Sequence, residues 1–257
     1  MIIVNFSWSA STAMATTPPS QQEIDPWGRP CGTCDIRTLS VCGVLSPTEL
    51  ERLRTAMVTT RFSAGESIIH EGEPATALFN LVSGSVKLYK LLSDGRRQIT
   101  GFLVPSDFLG IALNKNYAYT AEAIEDVHLC RFDRLKFGAL LPELPNLEHR
   151  LLEAACTELA AAQDQMVLLG RRTALERLAS FLLQWHRRTT VHHKPGHVVL
   201  PMSRSDIADY LGLTIETVSR CLTLLKKAKV VQLVSRSELA IPHPDKLAAM
   251  ADCDTAA

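Results

Sequence analysis

Apolar and polar positions change rhythm along this chain. Between residues 62 and 135, short apolar stretches recur at 67–69, 77–82, 85–92, 97–104 and 127–132. Turn formers separate them: Ala64-Gly65, Glu71-Gly72, Ser83-Gly84, Ser93-Asp94-Gly95 and Pro105-Ser106-Asp107. Many short strands at that spacing predict a β-sandwich or jelly-roll barrel. After Pro145 the period lengthens. Leu152, Ala155, Leu159, Ala162, Met166 and Leu169 follow spacings of 3, 4, 3, 4 and 3, a heptad seam on one helix. Such a stripe can pack on its own domain. Its narrowness suits a partner helix better, so a homodimer seam is expected, with small Ala155 and Ala162 allowing close approach.

Smaller elements flank these. Ser46, Pro47 and Glu49 form a helix start with a capping box, and that helix is expected to run through Leu50, Leu53 and Met57. A helix over 172–186 packs through Leu175, Leu178, Phe181 and Leu182, and a polar loop with His192, His193 and Lys194 follows.

Residues 202–226 carry the densest pattern. Ser203 can cap a helix over 205–210, Gly212 can turn the chain, and Thr214 can cap a second helix to about Lys227. Ala208, Gly212 and Val218 stand where a helix-turn-helix needs a small residue, a turn and a β-branched filler. Glu216, Ser219 and Arg220, at i, i+3 and i+4, then share the outer face near the helix start, with Thr214 and Thr217 beside them. That face meets base edges in a recognition helix. Arginine can donate twice to guanine, glutamate can accept from cytosine N4, and serine can bond or touch thymine. A Glu216–Arg220 surface ion pair is the plainer alternative. Residues 230–234 and 239–241 read as the hairpin of a wing.

Charge sharpens this. The 257 residues sum to zero, yet residues 1–169 hold 14 basic and 19 acidic groups, residues 170–237 hold 12 and 4, and residues 238–257 hold 1 and 4. A basic block inside a neutral chain is the electrostatic footprint of a nucleic-acid-binding module, and double-stranded DNA is the expected partner. A hydrophobic fraction of 46% supplies a core, while no window approaches the ~20 apolar residues of a membrane span. Residues 1–20 lack a basic start and interrupt their apolar run with Asn5, Ser7 and Ser9, so no secretory signal is read and a cytoplasmic protein is expected.

Seven cysteines occur, and Cys31, Cys34 and Cys42 crowd into one loop. In a reducing compartment such clusters bind metal or do redox chemistry. A tetrahedral site needs a fourth ligand, and Cys130, at the end of a β segment, is the best candidate. Four thiolates suit an iron–sulfur cluster or zinc. Cys156, Cys221 and Cys253 read as ordinary side chains. Enzyme chemistry is not expected: His70 and His128 are isolated, and neither a phosphate-binding loop nor a nucleophile elbow occurs.

At this point the sequence resembles the CRP/FNR family of bacterial transcription regulators, and within it the FNR type. The carriers are the cysteine cluster, Gly72-Glu73-Pro74, the run from Leu78-Phe79-Asn80-Leu81 to Lys87, Gln98-Ile99-Thr100-Gly101-Phe102, and the run from Leu211-Gly212-Leu213-Thr214 to Arg220. The resemblance implies an α+β fold: an N-terminal β-roll (a double-stranded β-helix of cyclic-nucleotide-binding type), a long dimerisation helix and a C-terminal winged helix-turn-helix. It implies that Glu216, Ser219 and Arg220 read a TTGAT-type half-site in a palindrome. It also implies that Cys31, Cys34, Cys42 and Cys130 hold an oxygen-labile [4Fe-4S] cluster. By analogy with the family the Ser93 to Arg97 turn can contact RNA polymerase, and a plain hairpin turn is an equal alternative. The alternative is a thiol-redox or zinc-stabilised regulator without iron. Two departures are visible. The Gly110 to Lys115 stretch lacks the Glu and the following Arg that clamp a cyclic phosphate, so no cyclic nucleotide is expected. The spacing of seven residues between Cys34 and Cys42 is longer than in some FNR proteins.

The expected organisation is an arm over 1–30, a cysteine loop and β-roll over 31–145, the dimer helix over 146–170, the DNA-binding domain over 171–245 and a tail over 246–257.

Overall fold

The computed structural model describes residues 31, 34–111, 115–189, 197–235 and 237–251. The expected arm, the 192–196 loop, Cys253 and part of the Gly110 to Lys115 stretch lie outside the described residues. A 3-10 turn at Val41–Val44 precedes α1 (Pro47–Arg54). The capping box forms as expected: Glu49 Oε2 accepts from the Ser46 amide at 2.8 Å, and Ser46 Oγ accepts from the Glu49 amide at 3.3 Å. The helix stops before Met57, which opens β1 (Met57–Phe62) rather than closing the helix.

The roll continues with β2 (Ser67–Ile69), β3 (Ala77–Ser83), β4 (Val86–Leu91), β5 (Arg97–Leu103), β6 (Phe108–Leu109), β7 (Thr120–Ala123) and β8 (Val127–Asp133). They form two four-stranded antiparallel sheets, ordered β1-β8-β3-β6 and β2-β7-β4-β5. Between them lies a core of Phe79, Leu81, Val86, Leu109, Ala121, Val127 and Leu129. The outer face of the first sheet is covered as well. Leu78 and Phe132 pack there with Leu50 and Leu53 of α1, Phe137 of α2 (Arg134–Leu140), and Leu144 and Leu147 at the start of α3 (Pro145–Arg171). A strand buried on both faces loses its alternation, and residues 77–81 of β3 are accordingly all buried. At the β3–β4 turn Gly84 has φ +84°, and an added Cβ would sit 2.6 Å from the Asp126 carbonyl oxygen, so only glycine fits.

The C-terminal module holds α4 (Ala174–Thr189), β9 (His197–Val199), α5 (Arg204–Leu211), α6 (Ile215–Lys227), β10 (Gln232–Leu233), β11 (Glu238–Ala240) and α7 (Pro244–Ala251). The wing is a three-stranded sheet ordered β10-β11-β9. The expected tail boundary at residue 246 is corrected: α7 runs to Ala251, and Leu247 and Ala251 are buried in the module's core.

Module and roll share that core. Ile99, Phe102 and Val104 from the β5 region join Phe181, Trp185, Tyr210 and Leu211 in one apolar cluster. The Phe102 ring lies 5.3 Å from Tyr210 and 6.0 Å from both Phe181 and Trp185. Charged groups ring this contact. Arg97 Nη2 donates to Asp206 Oδ1 and to Asp209 Oδ2, each at 2.8 Å. Lys87 Nζ lies 3.3 Å from Asp206 and 2.9 Å from Glu122. Gln98 Nε2 donates to the Asp209 carbonyl at 2.7 Å, and Arg188 holds Asp107 and the Phe102 carbonyl.

Arg97 therefore belongs to a contact within the chain, while residues 93–96 of the turn are exposed. Burial alone would raise the Asp206 pKa; the Ser203 hydroxyl and amide, then Lys87 and Arg97, hold it below the ordinary value. A depressed carboxylate contributes stability above its unfolded pKa of ~3.9 and loses it as pH falls through the folded value. Arg97→Ala should lower the unfolding free energy by about 2 kcal/mol in urea titrations near neutral pH. The loss should shrink once Asp206 is protonated. An equal loss at every pH would contradict an ionic contact.

Candidate functional site

The reading helix is placed by capping. Ser203 Oγ accepts from the Asp206 amide at 3.0 Å and starts α5. Gly212 ends it with φ +62°, a left-handed conformation that a side chain disfavours. The Leu213 amide donates to the Ala208 carbonyl at 3.0 Å and tightens the turn. Thr214 Oγ1 accepts from the Thr217 amide at 3.2 Å and starts α6. Thr214 is thus committed as a cap, and Thr217 is half-buried.

The inward stripe is Val218, Cys221, Leu222 and Leu225, all buried. Glu216, Ser219 and Arg220 are exposed on the opposite face, as the spacing predicts. Among the described residues no ion pair joins Glu216 to Arg220, and both heads are exposed. The Glu216 carboxyl is held below its ordinary pKa by its own backbone N–H and by the Thr214 hydroxyl, with a smaller contribution from Arg220. Lys226, Lys227 and Lys229 are exposed beyond the reading face and suit phosphate.

The second candidate site lies at the far end of the chain's core. Cys31, Cys34, Cys42 and Cys130 are all half-buried. Cys31, Cys42 and Cys130 pack on the same cluster as Leu78, Phe132, Leu144 and Leu147. Arg37 Nη2 donates to the Leu45 carbonyl at 2.9 Å and closes the loop that carries Cys42. Burial raises the Cys31 pKa and pushes Cys42 up to about 11, with Cys31 and Cys34 close enough to add to the Cys42 shift. As free thiols these groups stay protonated, and metal binding there must release protons.

The donor set suits iron–sulfur or zinc in kind, and three of its thiols share one apolar core. Among the described residues, no three ligating side chains are drawn together closely enough to hold a metal ion. The four thiols fit the group in chemistry, but their described positions do not form a closed ligand set. Cys156 is exposed and Cys221 buried, away from this set. His128 is accounted for by Ser83 Oγ, 2.8 Å from its Nδ1.

One residue that the sequence did not single out stands beside Cys130. In register, Thr59, Cys130, Asn80 and Phe108 form a row across β1, β8, β3 and β6. Asn80 is 2% exposed, and its Oδ1 is buried without a hydrogen-bond partner. Such an orphan costs about 1–3 kcal/mol.

The predicted dimer seam is open. Leu152, Leu159 and Met166 are 61%, 59% and 67% exposed, and Ala155 and Ala162 are exposed too. Leu169 departs from the expected seam: it is half-buried, with its Cδ2 3.6 Å from where a Gly212 Cβ would stand. The other face of α3 is occupied by its own chain, through Leu147 and Leu151 below and Leu168 above. Arg177 fastens the upper end, donating to the carbonyls of Leu169 at 2.7 Å, Arg172 at 2.9 Å and Leu211 at 3.0 Å.

Comparison with known proteins agrees with this architecture. Residues 59–143 match the cyclic nucleotide-binding domain family, and residues 176–250 match the Crp-like helix-turn-helix domain. The nitrogen fixation regulation protein FixK of Bradyrhizobium diazoefficiens is 43% identical over 234 residues, covering 91% of this chain and 98% of FixK. The transcriptional activator protein FnrL of Cereibacter sphaeroides is 37% identical over 216 residues, covering 82% and 87%. The solved structure of FixK2 from Bradyrhizobium japonicum superposes with a TM-score of 0.73 at 36% identity, covering 77% of this chain and 98% of that one.

Arg220→Ala should cost about 1–3 kcal/mol of affinity at the preferred half-site and relax base choice at one position. Lys226→Ala should weaken all sequences alike and reduce the salt slope by about 1. Titrations on matched and scrambled duplexes separate the two, and uniform weakening by Arg220→Ala would reduce it to a phosphate contact.

Proposed function

Since the chain belongs to the CRP/FNR family of DNA-binding transcription regulators, we propose that it is an oxygen-responsive activator governed by a [4Fe-4S] cluster. Cys31, Cys34, Cys42 and Cys130 hold the cluster. Two copies close along Leu152, Ala155, Leu159, Ala162 and Met166, and the homodimer binds a TTGAT-type palindrome in cytoplasmic DNA. The genes controlled are those needed without oxygen or with little of it. RNA polymerase is the partner at the promoter, and no cyclic nucleotide is used.

The observation that carries this reading is the placement of Cys31, Cys42 and Cys130 on the core that also holds the first turn of α3. When bound, the cluster supplies sensitivity to oxygen, which dismantles it. The chain's own residues do the rest. Val41 and Leu45 of the cysteine loop pack with Leu144 and Leu147, so the state of the loop bears directly on the base of α3. The helix carries the seam outward, and its last turn is held by Arg177 of α4, which also grips the Leu211 carbonyl at the helix-turn-helix. In the dimer, each α6 presents Glu216, Ser219 and Arg220 to one half-site, with half-site centres about 34 Å apart.

The seam contains no charged residue, so nothing on it repels a partner when the cluster is lost. Thiol–disulfide chemistry or zinc on the same cysteines is a rival that measurement separates.

Protein purified without oxygen should show a broad visible absorbance that air bleaches, with iron and acid-labile sulfide near four of each per chain. A colourless protein carrying one zinc would contradict the cluster. Met166→Asp should shift the sedimenting species towards monomer and abolish binding to the full palindrome while leaving the fold intact. A Met166→Asp dimer would place the interface elsewhere.

A further inference from the structure

The last carbonyls of a helix have no partner inside it. Two such ends meet here. Helix α3 ends at Arg171 and α5 at Leu211, and the Arg177 guanidinium of α4 stands between them. Its three nitrogens are divided among three segments. Nη2 donates to the Leu169 carbonyl of α3 at 2.7 Å, Nε to the Arg172 carbonyl in the link to α4 at 2.9 Å, and Nη1 to the Leu211 carbonyl of α5 at 3.0 Å. A cation also suits the negative ends of two helix dipoles. A second tie runs alongside: Gln165 Nε2 of α3 donates to the Tyr210 carbonyl of α5 at 3.1 Å. The turn closes on the same group, since a Cβ on Gly212 would stand 3.6 Å from Leu169 Cδ2 and 3.7 Å from Arg177 Nη1. The last turn of the seam helix is thus joined to the last turn of α5. From there to α6 the chain is short and bonded: the Leu213 amide donates to the Ala208 carbonyl, and Thr214 caps α6.

We infer that Arg177 is a positioning residue that sets which half-site spacing the dimer accepts, by holding α6 at one angle to the seam helix. The inference rests on the palindrome-binding homodimer proposed above and makes no use of a cysteine-bound group. Arg177 is half-buried, and each of its nitrogens donates to a carbonyl of the chain, so its effect on DNA passes through α6. One added base pair moves the half-site centres apart by about 3.4 Å and turns one against the other by about 34°. Two reading helices held at a fixed angle to the seam cannot follow both spacings. Two that pivot at the link between α3 and α4 can. Lysine keeps the charge at this position but replaces a planar fork of three nitrogens with one. The ion pairs of Arg97 with Asp206 and Asp209 are untouched by a change at Arg177 and keep the module on the roll.

Full-length wild type, Arg177→Met and Arg177→Lys are titrated without oxygen against three duplexes: a single half-site, the palindrome, and the palindrome with one base pair added between its half-sites. The readout is the ratio of affinities for the two palindromes, which does not depend on the fraction of protein that is folded. Wild type should favour the unaltered palindrome, and the ratio should fall by about tenfold in both variants, within the range common for coupling between sites. Binding to the single half-site should stay within about twofold of wild type, as for independent sites. A ratio unchanged in both variants would overturn the inference. So would an equal loss on all three duplexes, which would reduce Arg177 to a stabilising contact. Wild type that binds the palindrome no better than the single half-site would overturn the palindrome-binding dimer itself, a result read without either variant.

Discussion

Helix α3 is 27 residues long, about 40 Å at 1.5 Å per residue, and its inner face must satisfy two separate cores. Leu144 and Leu147 bury its first turn among the cysteine loop, α1 and α2. Leu168 and the Arg177 guanidinium bind its last turn to the winged helix. A helix held at both ends cannot shift at one without straining contacts at the other, because packed cores repack rather than stretch. The exposed seam on its outer face follows from this constraint. The inner stripe is spent on the chain itself, so Leu152, Leu159 and Met166 are left for a second copy.

The contact between roll and reading module combines two kinds of interaction with different consequences. The aromatic group around Phe102 supplies area and does not depend on pH. The ion pairs at Lys87, Arg97, Asp206 and Asp209 fix the orientation of α5 on β5, and those made by Asp206 weaken in acid. Since α5 leads through Gly212 into α6, the direction of the reading face is set from the roll side by those charges and from the α3 side by Arg177.

Much of this was legible because it is local. Capping boxes, the heptad spacing and the helix-turn-helix are written within a few residues of one another, and the structure places Glu216, Ser219 and Arg220 on one exposed face. What escaped depends on partners far away in sequence. Strand β1 was hidden because Met57 continued the helix pattern, whereas its pairing with β8 decides its state. Strands β6 and β7, at 2 and 4 residues, are too short to establish a rhythm. Helix α7 lay in an acidic segment that read as a tail, yet Leu247 anchors it. Asn80 looked like one polar residue in an apolar strand, and only the register with β8 sets it beside Cys130. Arg97 sat next to a hairpin turn, and its carboxylate partners are 109 and 112 residues away.

The central claim is that the state of the cysteine core governs the reading of DNA across the length of α3. The affinity of one preparation for a TTGAT palindrome, measured without oxygen and again after exposure to air, tests it most directly. Coupling between distant sites is commonly worth about 5- to 150-fold. The account predicts a loss within that range on exposure to air, with the weak binding to unrelated DNA unchanged. Equal affinity for the palindrome before and after air, in protein shown to have lost its cluster, would contradict it.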